Sequence, residues 1–528
     1  MVHKHSGLVR SALAAAIAAA ALAAPLAAQA APKQERMVLV YKAGAGAAAK
    51  DAVAKAGGKV VLDLAEVNAM AVRLTAAARD ALKANPNVEM IEADPVRHVM
   101  GGPTGKRPVR AMGASGETVP YGITMVQADQ LTFQAANAKK LCIVDSGYDI
   151  SHEDLPPSNV AGVDLTNSGI GSWNTDEASH GTHVAGTIAA LGGNGKGVVG
   201  VIPTGQQPLF ISKVFDASGS ASSSTIIKGV LQCNRNKAKI ISMSLGGGRP
   251  TKFEQNIYDN MAAKGILVIA SAGNGGTSDI NYPAGYPSVM SVAAIDSSKV
   301  KAGFSQFNAD VEIAGPGVAV LSTVPLGSQI AASTAVGGTP FTVQPMDGSP
   351  LTSATGPLAD FGFGDTPAPG TMTGKICLIS RGNIAFSDKV LNCTTSGGIG
   401  AIIYNNTTGD LFGTLGDVAT TIPSVGATQA DGATMLATKL GQSSTVAVFP
   451  SDAMYAEYSG TSMSAPHVSG VAALVWSNHP SCTAAQLRES LKKSAMDLGA
   501  VGRDDEYGAG LVQAKAASDR IASLGCGN

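Results

Sequence analysis

Charge is scarce in this chain. Only 15% of its 528 residues are Asp, Glu, Lys or Arg, against roughly 25% in an average soluble protein. The 38 basic residues nearly cancel the 39 acidic ones, so no field of one sign exists to draw in nucleic acid or anionic lipid. Beyond residue 30 every apolar run is interrupted by glycine or charge before it reaches spanning length, which predicts a mature product without a membrane span. Cys-x-x-Cys pairs are missing, and so is the His-Glu-x-x-His helix of zinc peptidases, which removes the usual metal patterns.

Apolar residues, by contrast, make up 45% of the chain, enough for large cores and against a disordered polymer. The length predicts several domains. Residues 1–30 read as an export signal: His3, Lys4 and Arg10 precede an Ala/Leu-rich run that closes on Ala28-Gln29-Ala30, a small-x-small cleavage site. Export puts the six cysteines, Cys142, Cys233, Cys377, Cys393, Cys482 and Cys526, in an oxidising compartment as disulfides. Fifteen connectivities are formally open. Nearness within each segment suggests Cys377 with Cys393 and Cys482 with Cys526, leaving Cys142 with Cys233.

Residues 31–100 read as a small α+β unit, with strands over 37–41, 59–64, 69–74 and 88–92 and an Ala/Lys helix between the first two. Residues 101–116 hold Gly, Pro, Lys and Arg without periodicity, an exposed linker that a protease could enter. From 117 to 325, short continuous apolar runs at 141–144, 211–215, 240–243, 266–270 and 289–294 alternate with helical stretches, which predicts strands buried on both faces in a parallel α/β sheet. Residues 326–454 are richer in Gly, Thr and Pro and read as an inserted, largely β module with a helix near 387–395. The α/β pattern resumes over 455–528, with helices at 462–477 and 483–496.

Asp145 follows the apolar run Leu141-Cys142-Ile143-Val144, so a buried strand delivers a carboxylate to the carboxyl edge of the sheet, where α/β folds put their sites; a turn cap is the ordinary alternative. His180 opens His180-Gly181-Thr182-His183-Val184-Ala185-Gly186, with Ser179 as a candidate cap and small residues for close packing. His183 reads as a hydrogen-bonded core histidine. Ser462, in Gly460-Thr461-Ser462-Met463-Ser464-Ala465-Pro466-His467, stands at the start of a helix after a sharp turn. A serine needs an imidazole to take its proton and a carboxylate to orient that imidazole. Asn274, in Ala272-Gly273-Asn274, ends a strand with a side-chain amide suited to an oxyanion. An esterase would want Gly-x-Ser-x-Gly and the order Ser, acid, His, whereas position 464 is serine and the order is reversed.

The order Asp, His, Ser with these motifs intact, together with Ser244-Leu245-Gly246, resembles the subtilase family of serine proteases. The resemblance implies a subtilisin-like parallel sheet flanked by helices, and a secreted endopeptidase working through an acyl-enzyme on protein substrates without a catalytic cofactor. It implies Asp145, His180 and Ser462 as triad and Asn274 with the Ser462 amide as oxyanion hole. Ser244, Leu245, Gly246, Ala272, Gly273 and Asn281 would bind substrate in a pocket without charge, favouring uncharged and apolar side chains. Glu117, Asp154 and Asn194 resemble a structural calcium site. Residues 31–100 resemble an inhibitory propeptide, and Gly374-Lys375-Ile376-Cys377-Leu378-Ile379-Ser380-Arg381-Gly382 a protease-associated (PA) domain. The expected product is an extracellular monomer. A subtilase fold kept only as a binding or adhesive module is the alternative, which loss of a triad member would favour; none is lost.

Overall fold

The computed structural model describes residues 33–100, 107–108, 116–166, 172–382, 384–416 and 418–528. The expected export signal and most of the linker lie outside the described residues. Among those described, no helix is long and apolar enough to cross a membrane.

A seven-stranded sheet, every pairing parallel, organises the centre. Its middle strands Leu141–Asp145, Leu209–Lys213, Ile240–Met243 and Leu267–Ser271 are wholly buried, as continuous apolar runs require when helices cover both faces. The edge strands Val160–Asp164 and Val311–Pro316 lack such runs and do not stand out in the sequence. One face packs on the helices His180–Ala189 and Thr461–Asn478, the other on Ser223–Arg235 and Lys252–Ala263. Each large aliphatic side chain buried there contributes about 1.5–3 kcal/mol.

The Thr461–Asn478 helix is buried over nearly its whole length, as its all-round apolar character demands. Pro466 within it has no N–H for the carbonyl of Ser462, four residues back. Ser244 Oγ donates to that carbonyl instead, at 2.8 Å. The break in the ladder thus ties the helix start to the end of the Ile240–Met243 strand.

Residues 35–93 form a four-stranded antiparallel sheet with the helices Gly46–Lys55 and Ala76–Lys83. Its Val38 and Leu64 pack into the core beneath Ser223–Arg235 and Lys252–Ala263. One further strand, Val96–Val99, follows Pro95; the sequence offers only a short, polar run there.

The inserted region builds an eight-stranded sheet between Gln329–Val336 and Ser443–Ser451. The expected helix is there as Phe386–Thr395. A second, Gln429–Thr438, was not expected, because alanine, glycine and threonine hide its period; Thr428 Oγ1 caps it by accepting from Asp431 N. The disulfides are Cys142–Cys233, Cys377–Cys393 and Cys482–Cys526, the pairing that nearness suggests.

Candidate active site

Parallel strands end on one edge of the sheet, which brings Asp145, Ser244 and Ser271 to the same rim. Asp145 Oδ1 accepts from His180 Nδ1 at 2.8 Å and from Ser146 N at 2.8 Å. Both members of the pair are buried. With the carboxylate as acceptor, the ring proton sits on Nδ1 and Nε2 carries the lone pair. Nε2 is buried and has no hydrogen-bond partner among the described residues.

Burial pushes His180 down, but the charge and hydrogen bond of Asp145, with the charge of Asp176, outweigh it and raise the ring above its ordinary 6.5. His183 behaves oppositely. It is fully buried, its Nε2 donates to the carbonyls of Val320 and Ala456 at 3.0 Å each, and burial with the nearby His180 holds it down to about 3. Of the two rings, only His180 is held above its ordinary value.

Ser179 does not cap the helix as expected: its side chain makes no cap bond and its backbone is left-handed, φ 60°. The cap is Asp176, whose Oδ2 accepts from Thr182 N and Thr182 Oγ1 at 2.7 Å each and whose Oδ1 accepts from Ser146 Oγ at 2.8 Å. Ser179 Oγ lies 3.1 Å from Tyr458 Oη, and the Tyr458 ring stacks on His183 at 4.3 Å. Gly181 and Gly186 are needed for the close approach: a Cβ would meet Gly147 O at 2.3 Å or Thr323 Oγ1 at 2.2 Å.

Ser462 sits in the first turn of its helix. Its hydroxyl donates to Ser244 O at 3.1 Å; no hydrogen bond joins it to His180. Its backbone amide donates to Met100 O at 3.1 Å. Asn274 Oδ1 accepts from Thr461 N at 2.9 Å and Thr461 Oγ1 at 2.8 Å, which fixes the amide and leaves Nδ2 as its available donor.

The chain just before Met100 occupies the cleft. Strand Val96–Val99 pairs antiparallel with Ser220–Ser222 on one side and Leu245–Gly246 on the other, and Met100 N donates to Ser244 O at 3.1 Å. Ala272 and Gly273 follow the end of the Leu267–Ser271 strand, and Asn281 Nδ2 donates to Ser271 O at 3.5 Å. A Cβ on Gly246 would strike Asn281 Nδ2 at 2.0 Å, and one on Gly273 would strike Gln306 Oε1 at 1.5 Å. Gln306 is therefore a wall of this pocket that the sequence does not announce; its Nε2 donates to Asp279 O at 2.5 Å.

The three candidate calcium ligands converge. Asn194 N donates to Glu117 Oε1 at 3.2 Å, Asn194 Nδ2 to Asp154 Oδ1 at 2.6 Å, and Val198 N to Asp154 Oδ2 at 2.8 Å. Burial, then the nearby Glu117 and Glu153 charges, push Asp154 up to about 6. A crowded acid pair of this kind fits a hard cation, given a turn of the Asn194 amide that brings its oxygen inward. Among the described residues no group of three or more His, Cys, Asp or Glu gathers at one point.

These features define a serine-type endopeptidase on a parallel α/β scaffold, and comparison with known proteins agrees. Residues 136–359 and 417–510 match the Subtilase family, and residues 350–435 match the PA domain. The chain belongs to the subtilase family, with a PA domain inserted in its catalytic region. It is 38% identical to Subtilisin NAT of Bacillus subtilis subsp. natto over 286 residues, 53% of this chain and 69% of that protein. Subtilisin DY of Bacillus licheniformis is 43% identical over 216 residues, 40% of this chain and 76% of the relative. The crystal structure of the psychrophilic subtilisin-like protease Apa1 from Pseudoalteromonas sp. AS-11 superposes with a TM-score of 0.55 at 41% identity, covering 78% of this chain and all of that one. Fervidolysin from Fervidobacterium pennivorans, a keratinolytic enzyme related to subtilisin, shares the fold at 23% identity and a TM-score of 0.59, over 92% of this chain and 61% of its own.

Proposed function

We propose that this endopeptidase is made as a secreted precursor whose residues 31–100 act as an inhibitory propeptide, and that it first cuts its own Met100–Gly101 bond. The observation that carries this reading is the hydrogen bond from Ser462 N to Met100 O, made while the preceding residues pair as an added strand on both walls of the cleft. An extended substrate would be held in the same way.

In this reading Ser462 Oγ leaves the Ser244 carbonyl by rotation about its side-chain bond and attacks the Met100 carbonyl carbon. Catalytic hydrogen bonds are often completed only as the reaction proceeds. His180 Nε2 takes the hydroxyl proton; Asp145 orients the ring and balances its charge. The oxyanion receives hydrogen bonds from Ser462 N and Asn274 Nδ2. Collapse breaks the C–N bond as His180 protonates the leaving amine, and water then releases the acyl group by the reverse sequence.

Residues 1–30, with their basic start and apolar run, support export. The Ala272, Gly273, Asn281 and Gln306 surround supports broad acceptance of uncharged, apolar side chains at the cleaved position, since it offers no charge to pair with one. Glu117, Asp154 and Asn194 would hold a structural calcium ion, which ties the Asn194 loop to the Asp154 turn and takes no part in catalysis.

Labelling with a serine-directed phosphonate and casein hydrolysis test the assignment together. The processed protein is expected to be labelled and active and the Ser462→Ala chain to be neither; a Ser462→Ala protein that still hydrolyses casein would overturn it.

A further inference from the structure

We infer that the processed enzyme selects arginine at the fourth position before the bond it cleaves, through the carboxylate of Glu254; this rests on the peptidase reading, in which Met100 occupies the cleaved position. Counting back along the strand in the cleft, Val99, His98 and Arg97 precede Met100. Successive side chains of a strand point to opposite faces. Val96 and His98 accordingly face solvent, while Arg97 is 0% exposed and heads the largest fully buried side chains.

A guanidinium is buried at heavy cost unless its charge and donors are met. Here the catalytic domain meets the charge and the donors of Nε and Nη2, while Nη1 has no partner among the described residues. Arg97 Nη2 donates to Glu254 Oε2 at 2.5 Å and to Arg249 O at 2.6 Å, and Nε donates to Glu254 Oε1 at 3.3 Å. The contact is the forked pairing that suits a guanidinium and that an ammonium cannot reproduce.

The socket does not depend on the propeptide for its shape. Glu254 is 1% exposed and stands in the first turn of Lys252–Ala263, where the helix dipole favours a carboxylate. Its Oε1 accepts from Ser223 Oγ at 2.7 Å and its Oε2 from Tyr286 Oη at 2.8 Å. Thr251 Oγ1 caps the same turn by accepting from Glu254 N at 3.1 Å. All four residues follow Gly101 in the chain and stay with the enzyme after processing. Among the described residues Arg97 is the sole ion-pair partner of Glu254. Loss of the propeptide leaves a carboxylate still oriented by Ser223 and Tyr286 at the far end of the strand-binding groove, and a substrate arginine entering along the same register restores its partner.

Two propeptide carboxylates that also touch the catalytic domain, Glu92 and Asp94, do not carry the same meaning. Asp94 accepts from Ser224 N and Oγ, and Glu92 from Lys252 N and Phe253 N, but both lie before Pro95, outside the strand that a substrate must replace.

The test uses enzyme matured from the full chain and peptides of the form Xaa-His-Val-Met followed by a common leaving segment, with Xaa as Arg, Lys, Leu or Glu. The expected kcat/KM for Arg exceeds that for Leu by about tenfold or more, with Lys between them and Glu lowest. In Glu254→Gln, produced with Arg97→Leu so that the propeptide still seats, the Arg-to-Leu ratio is expected to fall to near one. A wild-type ratio below about two, or an unchanged ratio in Glu254→Gln, overturns the inference while leaving the peptidase reading intact. Failure to cut any peptide of the series overturns both.

Discussion

The backbone amide of Ser462 donates to the carbonyl oxygen of Met100 across 3.1 Å, so the end of one segment lies where a nucleophile at the start of a buried helix would meet its substrate. The two residues are brought together by strand pairing on both sides of 96–99 and by the Ser244 hydroxyl that anchors the helix start.

Processing is expected to give a new amino terminus at Gly101, read by mass spectrometry of the secreted product. Met100→Asp puts a charge at a half-buried position whose carbonyl receives the Ser462 amide, and is expected to slow conversion of the precursor by about tenfold or more; unchanged conversion, or a terminus elsewhere, counts against Met100 as the cleaved position.

Asn274→Leu removes the amide that Thr461 orients. In subtilisin itself, loss of an oxyanion-hole asparagine costs about 100- to 1000-fold in turnover, and the same range is expected here in kcat with KM little altered. A KM effect alone would make Asn274 a binding residue.

With His180 as the proposed base, its raised position is expected to set the acid limb of the activity profile. A protonated ring cannot accept the Ser462 proton, and Asp145 stabilises the protonated form, so kcat/KM is expected to fall with unit slope as pH drops through a midpoint above 6.5. His183, held to about 3 by burial, stays neutral throughout. A midpoint below 6.5, measured with a substrate that does not titrate, would contradict the Asp145 contribution.

Chelation with excess EDTA is expected to lower the melting temperature and hasten self-digestion, as a cation that binds only the folded state adds stability that rises with the logarithm of its free concentration. Asp154→Asn should abolish the difference between chelated and calcium-supplemented protein. Identical melting curves with and without calcium would remove Glu117, Asp154 and Asn194 as ligands.

The local parts of the site are legible in the sequence because each is a short run whose chemistry depends on its neighbours: the apolar strand that ends in Asp145, the small residues around His180, the turn before Ser462. The cysteine pairing is legible too, since two of the three bridges span short intervals. Ser179 misleads, because a serine before a helix looks like a cap whatever its backbone does, while Asp176, three residues earlier, takes that role through a turn that sequence periodicity does not mark. Gln306 and Glu254 give no signal, since a glutamine in a loop and a glutamate in the first turn of a helix are both ordinary surface choices.

Chain order and residue chemistry by themselves determined the class of fold and the serine-protease family, because those properties are written in contiguous motifs and in the period of buried strands. Tertiary structure alone decided which carbonyl lies against Ser462 and which acid receives Arg97. Arg97 and Glu254 are 157 positions apart, and a pair so distant is selected by the way the 35–93 sheet docks on two helices, a packing outcome that no local pattern records.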